Sequence, residues 1–399
     1  MIQLSAAIQR IQPSATLGVS AKAAALKAQG RDIVSLSVGE PNFPVPASAR
    51  TAALHAIEMG NNHYTAVEGT PALRRAIADK FARDNGLIFD PQDIIVSTGG
   101  KQVIFNAMIA TVGAGDEVIV PAPYWVSYPD MVALAGGTPV PVPTRGTDGY
   151  KMAPDALEVA ITPATKWLIL NSPSNPTGAV YTAAELEAFA QVLRRHPHVW
   201  VLSDDMYEHI RYGTAPFATI AQVAPDLAER TLTVNGASKA FAMTGWRIGF
   251  AGGPRDLIKA MVKAQSQSTS NPCAIAQAAT VGALTGDMGF LAERAAIFRE
   301  RRDMVVARLS AMPGLTCPTP DGAFYVFPEC AGVIGRRTPA GAVLSNDEDL
   351  AGYLLESGVA VVHGAAFGHS PAFRISYATD TASLSTAMDR IEAAIQALV

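Results

Sequence analysis

Six short apolar runs, each closed by turn or polar residues and set between helical patterns, constrain this chain more than any other feature. They are DIIVSTG (93–99), DEVIVPAP (116–123), KWLILNSP (166–173), VWVLSDD (199–205), RTLTVNG (230–236) and RIGFAGG (247–253). Strands apolar on both faces need a layer on each side. Alternation with helices therefore predicts an α/β fold with a mainly parallel sheet. Residues 71–83 read as one such helix. Thr70 and Pro71 give the preferred cap and first-turn order, and Leu73, Ile77 and Phe81 share a face.

From about residue 290 the rhythm changes. A charged helix (293–309) precedes short strands near GAFYVFP (322–328), VAVVHG (359–364) and FRISYA (373–378). The last segment, 383–399, places Leu384, Met388, Ile391, Ile395 and Leu398 at spacings of three and four, a helix with one buried stripe. This predicts a smaller α+β lobe. The first 45 residues lack a strand–helix rhythm of their own and are expected to pack onto it. The expected division is 46–290 for the large lobe, with 1–45 and 291–399 for the small one.

Hydrophobic residues make up 49% of the 399, enough for two cores. The net charge of −4 and the lack of any basic run argue against a nucleic-acid partner. No apolar run reaches the length of a membrane span, and the N-terminus lacks the apolar stretch of a secretory signal. Cys273, Cys317 and Cys330 fit neither a disulfide framework nor a zinc site, so no metal is expected. These features predict a cytoplasmic protein.

In parallel sheets, ligands bind beyond the carboxyl ends of the strands. Polar residues cluster there. Gly99, Gly100 and Lys101 join a strand to an apolar helix, which is either a tight turn or an anion site. Asn171 and Asn175 close another strand, with Pro173 and Pro176 stiffening the loop around Asn175. Asp204, Asp205 and Tyr207 follow a third. A carboxylate there is either a helix cap or the partner of a cation.

The stretch NGASKAFAMTGWRIGF (235–250) is the most informative. Lys239 lies among small and apolar residues, which depresses an amine's pKa and favours a nucleophile or Schiff-base former. The alternative is a side chain that snorkels to water. Arg247 is either a salt-bridge partner or a fork for phosphate.

SKAFAMTGWRIGF, NSPSNPTG, SDDMYE, TGGKQ, APYWVSYP and FRISYA, in this order and spacing, resemble the class I pyridoxal-phosphate aminotransferases over nearly the whole chain. The pattern is most similar to the bacterial aspartate and prephenate aminotransferase branch. The resemblance implies fold type I: a large domain with a mainly parallel seven-stranded sheet flanked by helices, plus a smaller α+β domain that closes over substrate. It implies that Lys239 is the Schiff-base lysine and that Asp204 pairs with the pyridinium nitrogen. Tyr207 and Asn175 would bond the ring phenolate oxygen, and Trp125 would stack on the ring. Gly99, Gly100, Lys101, Ser238 and Arg247 would hold the phosphate. Tyr64 would reach the phosphate of the neighbouring subunit, which implies a homodimer with shared active sites. Arg374 would grip the substrate α-carboxylate, and the Gly39 backbone would lie beside the substrate.

The resemblance thins where substrate is chosen. Gln12 stands where the branch has a lysine for a distal carboxylate; Lys101 remains as a second candidate for that group. Val38, Asn42 and Pro44 make the entrance bulkier and less acidic, and His363 is a candidate pocket neighbour. The expected activity is ping-pong transfer from an L-amino acid, first of all aspartate, to 2-oxoglutarate. An aromatic or broad-specificity aminotransferase is the alternative, with prephenate ranked lower because Gln12 replaces the lysine. A β-lyase would start from the same chemistry.

Overall fold

A computed structural model describes residues 2–399. Its centre is a seven-stranded sheet. The strands are β1 (Ile94–Ser97), β2 (Glu117–Ala122), β3 (Thr138–Pro143), β4 (Thr165–Asn171), β5 (Trp200–Asp204), β6 (Thr231–Gly236) and β7 (Gly249–Gly252). Their order across the sheet is β1-β7-β6-β5-β4-β2-β3. All neighbouring pairs are parallel except those of β7, which runs against both β1 and β6. The continuous apolar runs are explained by burial on both faces. In β4, Trp167 and Ile169 enter one core while Leu168 and Leu170 enter the core on the other face.

Strand β3 was not legible as one of the six runs. Pro139, Pro141 and Pro143 read against a strand because proline has no N–H for the ladder. The sheet places β3 at its edge, where one side needs no partner. The flanking Thr138 and Thr144 donate N–H inward to Asp116 and Ala122 (2.9 and 2.8 Å). The alternating prolines then blunt an edge that could otherwise pair with another chain.

The helix predicted at 71–83 spans Pro71–Lys80, continues as a π-helical turn to Asn85 and stops at Gly86, where φ is 66°. Thr70 Oγ1 accepts from Leu73 N as expected, and Leu73, Ile77 and Phe81 are fully buried. In the last third, Phe290–Ser310 and Thr381–Gln396 are helices, the second capped by Asp380. Leu384, Met388, Ile391 and Ile395 form its buried stripe; Leu398 is buried just beyond its end. Val362–His363, Phe373–Ser376 and Tyr325–Val326 make a three-stranded antiparallel sheet.

Two parts of the N-terminal segment behave differently. Val34–Ser35 pairs in parallel with Val359–Ala360, and Ala23 and Ile33 pack against Leu355. The short helix Ala6–Gln9 instead lies against helix Ser127–Ala135, beside the sheet. Among the described residues no helix is long and apolar enough to cross a membrane.

Candidate active site

Strands β4, β5 and β6 are neighbours, so their carboxyl ends lie side by side, with Asn171 opposite Asp204 and Asp204 opposite Val234. A cavity of about 520 Å³ opens above them. It is where an open parallel sheet places a ligand.

Lys239 rises from the turn after β6 into this cavity. Its Nζ donates to Gly39 O at 2.8 Å and lies 5.8 and 5.9 Å from the Tyr207 and Phe324 ring centres. Burial pushes the amine down to about 8, helped by the charges of Arg374 and Arg247 and opposed by Glu40 and Asp204. It is not a snorkelling lysine. Gly39 must lack a side chain, because a Cβ there would strike the Tyr325 ring at 3.0 Å.

The two adjacent aspartates, alike in sequence, separate in space. Asp204 lines the cavity, accepting from Tyr128 Oη at 2.6 Å and from Met206 N at 3.3 Å. Burial raises its carboxyl above the usual range despite those bonds, and Lys239 is the weakest influence on it. Asp205 turns beneath, accepts from Ser203 Oγ at 2.7 Å, and is pushed up to about 7 by burial. Asp204 is thus a buried carboxylate facing a space where a cationic N–H would offset its desolvation.

Arg374, in strand Phe373–Ser376, is 2% exposed yet borders the cavity. Its Nη1 donates to Asn175 Oδ1 (2.9 Å) and its Nη2 to Ser37 O (2.5 Å), while Nε has no partner. The guanidinium lies 4.7 and 5.0 Å from the rings of Tyr325 and Phe367. Its only hydrogen-bond acceptors among the described residues are these two neutral oxygens. A cation buried this way calls for an anion from outside. Asn175 is held in turn by Asn171, whose Oδ1 accepts Asn175 N (2.8 Å) and whose Nδ2 donates to Asp204 O (2.9 Å).

At the other end, Gly99 adopts φ 88°, and helix Gly100–Thr111 points its N-terminus into the cavity. The first N–H groups of a helix have no acceptor within it. Arg247 donates Nη1 to Thr244 O at 2.9 Å. A side chain at Gly99 would run into its guanidinium. Lys101 Nζ lies 5.0 Å from the Trp125 ring, and burial and Arg247 both lower its pKa. With the buried Ser238 hydroxyl, these are the groups that could hold an anion here.

Two expected residues lie elsewhere. Gln12 is exposed and its backbone N–H bonds Asp130; Ser14, Thr16 and Leu17 line the cavity near it instead. Tyr64 is 92% exposed and borders a separate hollow with Ala56, Ala274 and Ala278. Val38 sits on the cavity wall, 38% exposed, and His363 is half-buried outside it. Tyr128 and Tyr325 were missed. Tyr325 Oη lies 2.9 Å from Tyr207 Oη. Tyr128 had a faint signal, one helical turn after Trp125; Tyr325 had none, because an aromatic in an apolar strand reads as core.

An amine of lowered pKa, a buried carboxylate and groups that could hold an anion, around one cavity, define a class of α/β protein. Its members hold a phosphorylated carbonyl cofactor at the sheet's carboxyl edge. The chain belongs to the aminotransferase class I and II family, whose model matches residues 31–391. It is 56% identical to the aspartate/prephenate aminotransferase of Cereibacter sphaeroides (strain ATCC 17029 / ATH 2.4.9) over 98% of both chains. It is 53% identical to the aspartate aminotransferase of Rhizobium meliloti (strain 1021), over 99% of this chain and 97% of the relative. Among solved structures, an aspartate aminotransferase from Rhizobium meliloti superposes with a TM-score of 0.97, at 52% identity and full coverage of both chains. The Thermus thermophilus aspartate aminotransferase with maleate gives 0.92 at 45% identity, covering 99% of this chain and all of that one. The fold is therefore that of the aspartate aminotransferases, and the cofactor of this type is pyridoxal 5′-phosphate.

Proposed function

We propose that this protein transfers the amino group of L-aspartate to 2-oxoglutarate by a ping-pong mechanism. The observation that carries the reading is the buried Arg374, without an anionic partner, on the cavity that holds Lys239. The residues present fit the cofactor. The Gly99 cradle, which a side chain would fill, suits a phosphate, and the carboxylate of Asp204 suits a ring N–H.

Bound pyridoxal 5′-phosphate supplies an electrophilic carbon and a ring that takes up the electron pair left at the substrate Cα. Lys239 would hold that carbon, and its amine, when free, would move the Cα proton. Asp204 would keep the proton on the ring nitrogen. Tyr207 and Asn175 would bond the ring oxygen, Trp125 would stack on the ring, and Gly99, Gly100, Lys101, Ser238 and Arg247 would bind the phosphate. Arg374 takes the α-carboxylate on its planar fork, beside the Gly39 backbone. Residues 46–290, with helix Ala6–Gln9 packed on them, form the cofactor lobe, and 15–45 with 291–399 form the lobe that closes over substrate and excludes water.

The protein acts as a homodimer, with Tyr64 reaching the partner's phosphate. Leu54, Ile57 and Met59, exposed a few residues before Tyr64 in the chain, support an apolar contact. Three free cysteines support a reducing compartment, the cytoplasm.

Mixing the loaded enzyme with single amino donors tests the reading: aspartate should bleach the cofactor's visible band faster than phenylalanine, tyrosine or alanine. Aspartate without effect would overturn it. A second reading, with prephenate as acceptor, is supported by the double name of the Cereibacter relative. The same assay run in reverse with prephenate decides it.

Two further outcomes are expected. Gln12 lies outside the cavity but two residues from its wall at Ser14, so the longer Gln12→Lys side chain should raise kcat/KM for aspartate and 2-oxoglutarate about tenfold if it reaches in, the worth of one charge-assisted hydrogen bond; unchanged values would remove position 12 from specificity. In cofactor-free protein only the neutral Lys239 amine is a nucleophile, and its pKa is about 8. Capture of pyridoxal phosphate should therefore speed up about tenfold per pH unit below 8 and level off above it. A rate flat between pH 6 and 8 would contradict the lowered pKa.

A further inference from the structure

Loop 61–70 carries Tyr64 almost wholly in solvent and has no regular secondary structure. Exposed loop tips are ordinarily mobile. This one is fastened from beneath by two glutamines that are themselves fully buried. Gln277, in helix Ala274–Thr285, donates Nε2 to Thr65 Oγ1 (3.0 Å) and Pro272 O (2.9 Å), and its Oε1 accepts Thr70 N (2.8 Å). Gln265, in helix Arg255–Ser266, donates to Val67 O (2.7 Å) and Val96 O (2.9 Å). Between them Val96 N donates to Glu68 O at 2.9 Å, docking the loop on edge strand β1.

A buried amide is costly unless its bonds are made, and a fully satisfied network fixes one conformation. Here that rigidity serves nothing in the chain's own cavity, whose wall does not include residues 61–70. It holds an exposed aromatic outward instead. Thr65 is the residue next to Tyr64, so the Gln277–Thr65 bond sets where Tyr64 stands.

We propose that Gln277 is a positioning residue for the neighbouring subunit's active site. It fixes Thr65, and through it Tyr64, so that the Tyr64 hydroxyl meets the phosphate held by the partner. This rests on the reading of Tyr64 given above. Rigid presentation matters because ordering a free loop at the moment of binding would cost conformational entropy.

The test measures the dissociation constant of pyridoxal phosphate in cofactor-free dimers, followed by quenching of tryptophan fluorescence. Gln277→Leu should weaken binding about tenfold. Thr65→Val removes the same bond from the loop side while sparing Gln277, and should match it even if Gln277→Leu folds poorly. Hybrid dimers then separate positioning from general damage. A Gln277→Leu subunit paired with a Lys239→Ala subunit has one live site, completed by an intact loop, and that site should bind and turn over normally. A Gln277→Leu/Lys239→Ala subunit paired with wild type leaves a live site completed by the damaged loop, and that site should be weakened. A defect that stays with its own subunit, unchanged affinity in both single variants, or a monomeric protein overturns the proposal. Tyr64→Phe goes through the same pairings. If it is silent while Gln277→Leu acts across the dimer, the Tyr64 reading falls, and Gln277 positions another group of that loop.

Discussion

Alanine at position 239 is expected to lower kcat by at least about 10³-fold, the middle of the range for losing a positioned acid–base group. The loss should exceed that of a simple proton shuttle, because the covalent hold on the cofactor goes with it. Cofactor bound to Lys239→Ala should dialyse away, and its visible band should lack the shift that wild type shows on binding. The fold should survive. A lysine whose folded pKa lies near 8 rather than 10.5 opposes folding below pH 8, and this penalty fades as pH rises from there towards 10.5. Removing the amine should therefore leave the thermal midpoint at pH 7 unchanged or higher. Turnover within tenfold of wild type, in protein that melts normally, would sink the assignment of Lys239.

Arg374→Lys is the second large effect expected. The charge stays but the planar fork goes, so two charge-assisted hydrogen bonds to a carboxylate cannot both form. At about 1.5–3 kcal/mol per bond, kcat/KM for aspartate should fall about 10- to 100-fold for Lys and about 10²- to 10⁴-fold for Ala. The side chain also ties Ser37 O and Asn175, so a control is needed. A primary amine without an α-carboxylate should react with wild type and Arg374→Ala at rates within a few fold. Equal losses for both kinds of substrate would mean that Arg374 only supports the wall.

Much of this was legible from residues alone. A lysine in an apolar run can keep a neutral amine, so Lys239 announced itself by its neighbours. Six strands showed because burial on both faces demands continuous apolar sequence. The proline-bearing β3 hid, since the edge position that tolerates its missing N–H groups is a fact about the sheet rather than the strand. Arg374 gave little away: an arginine in an alternating strand reads as solvent-facing, and only the resemblance singled it out. Asp204 and Asp205 were equivalent by residue type and neighbours, and only the resemblance chose the first. One residue of register sends the first into the cavity and the second beneath it.

The sequence by itself determined the α/β layering, a lysine set among apolar neighbours and the positions of the polar strand ends, because those follow from local periodicity and local polarity. Only the tertiary structure decided which polar ends meet. It joined Tyr128 to Asp204 and Tyr207 to Tyr325, and it left Arg374 facing the cavity beside two neutral oxygens. It also turned Tyr64 outward and fastened its loop with Gln277. These pairings link residues up to hundreds of positions apart, where side-chain reach is set by how sheets and helices pack and not by neighbours along the chain.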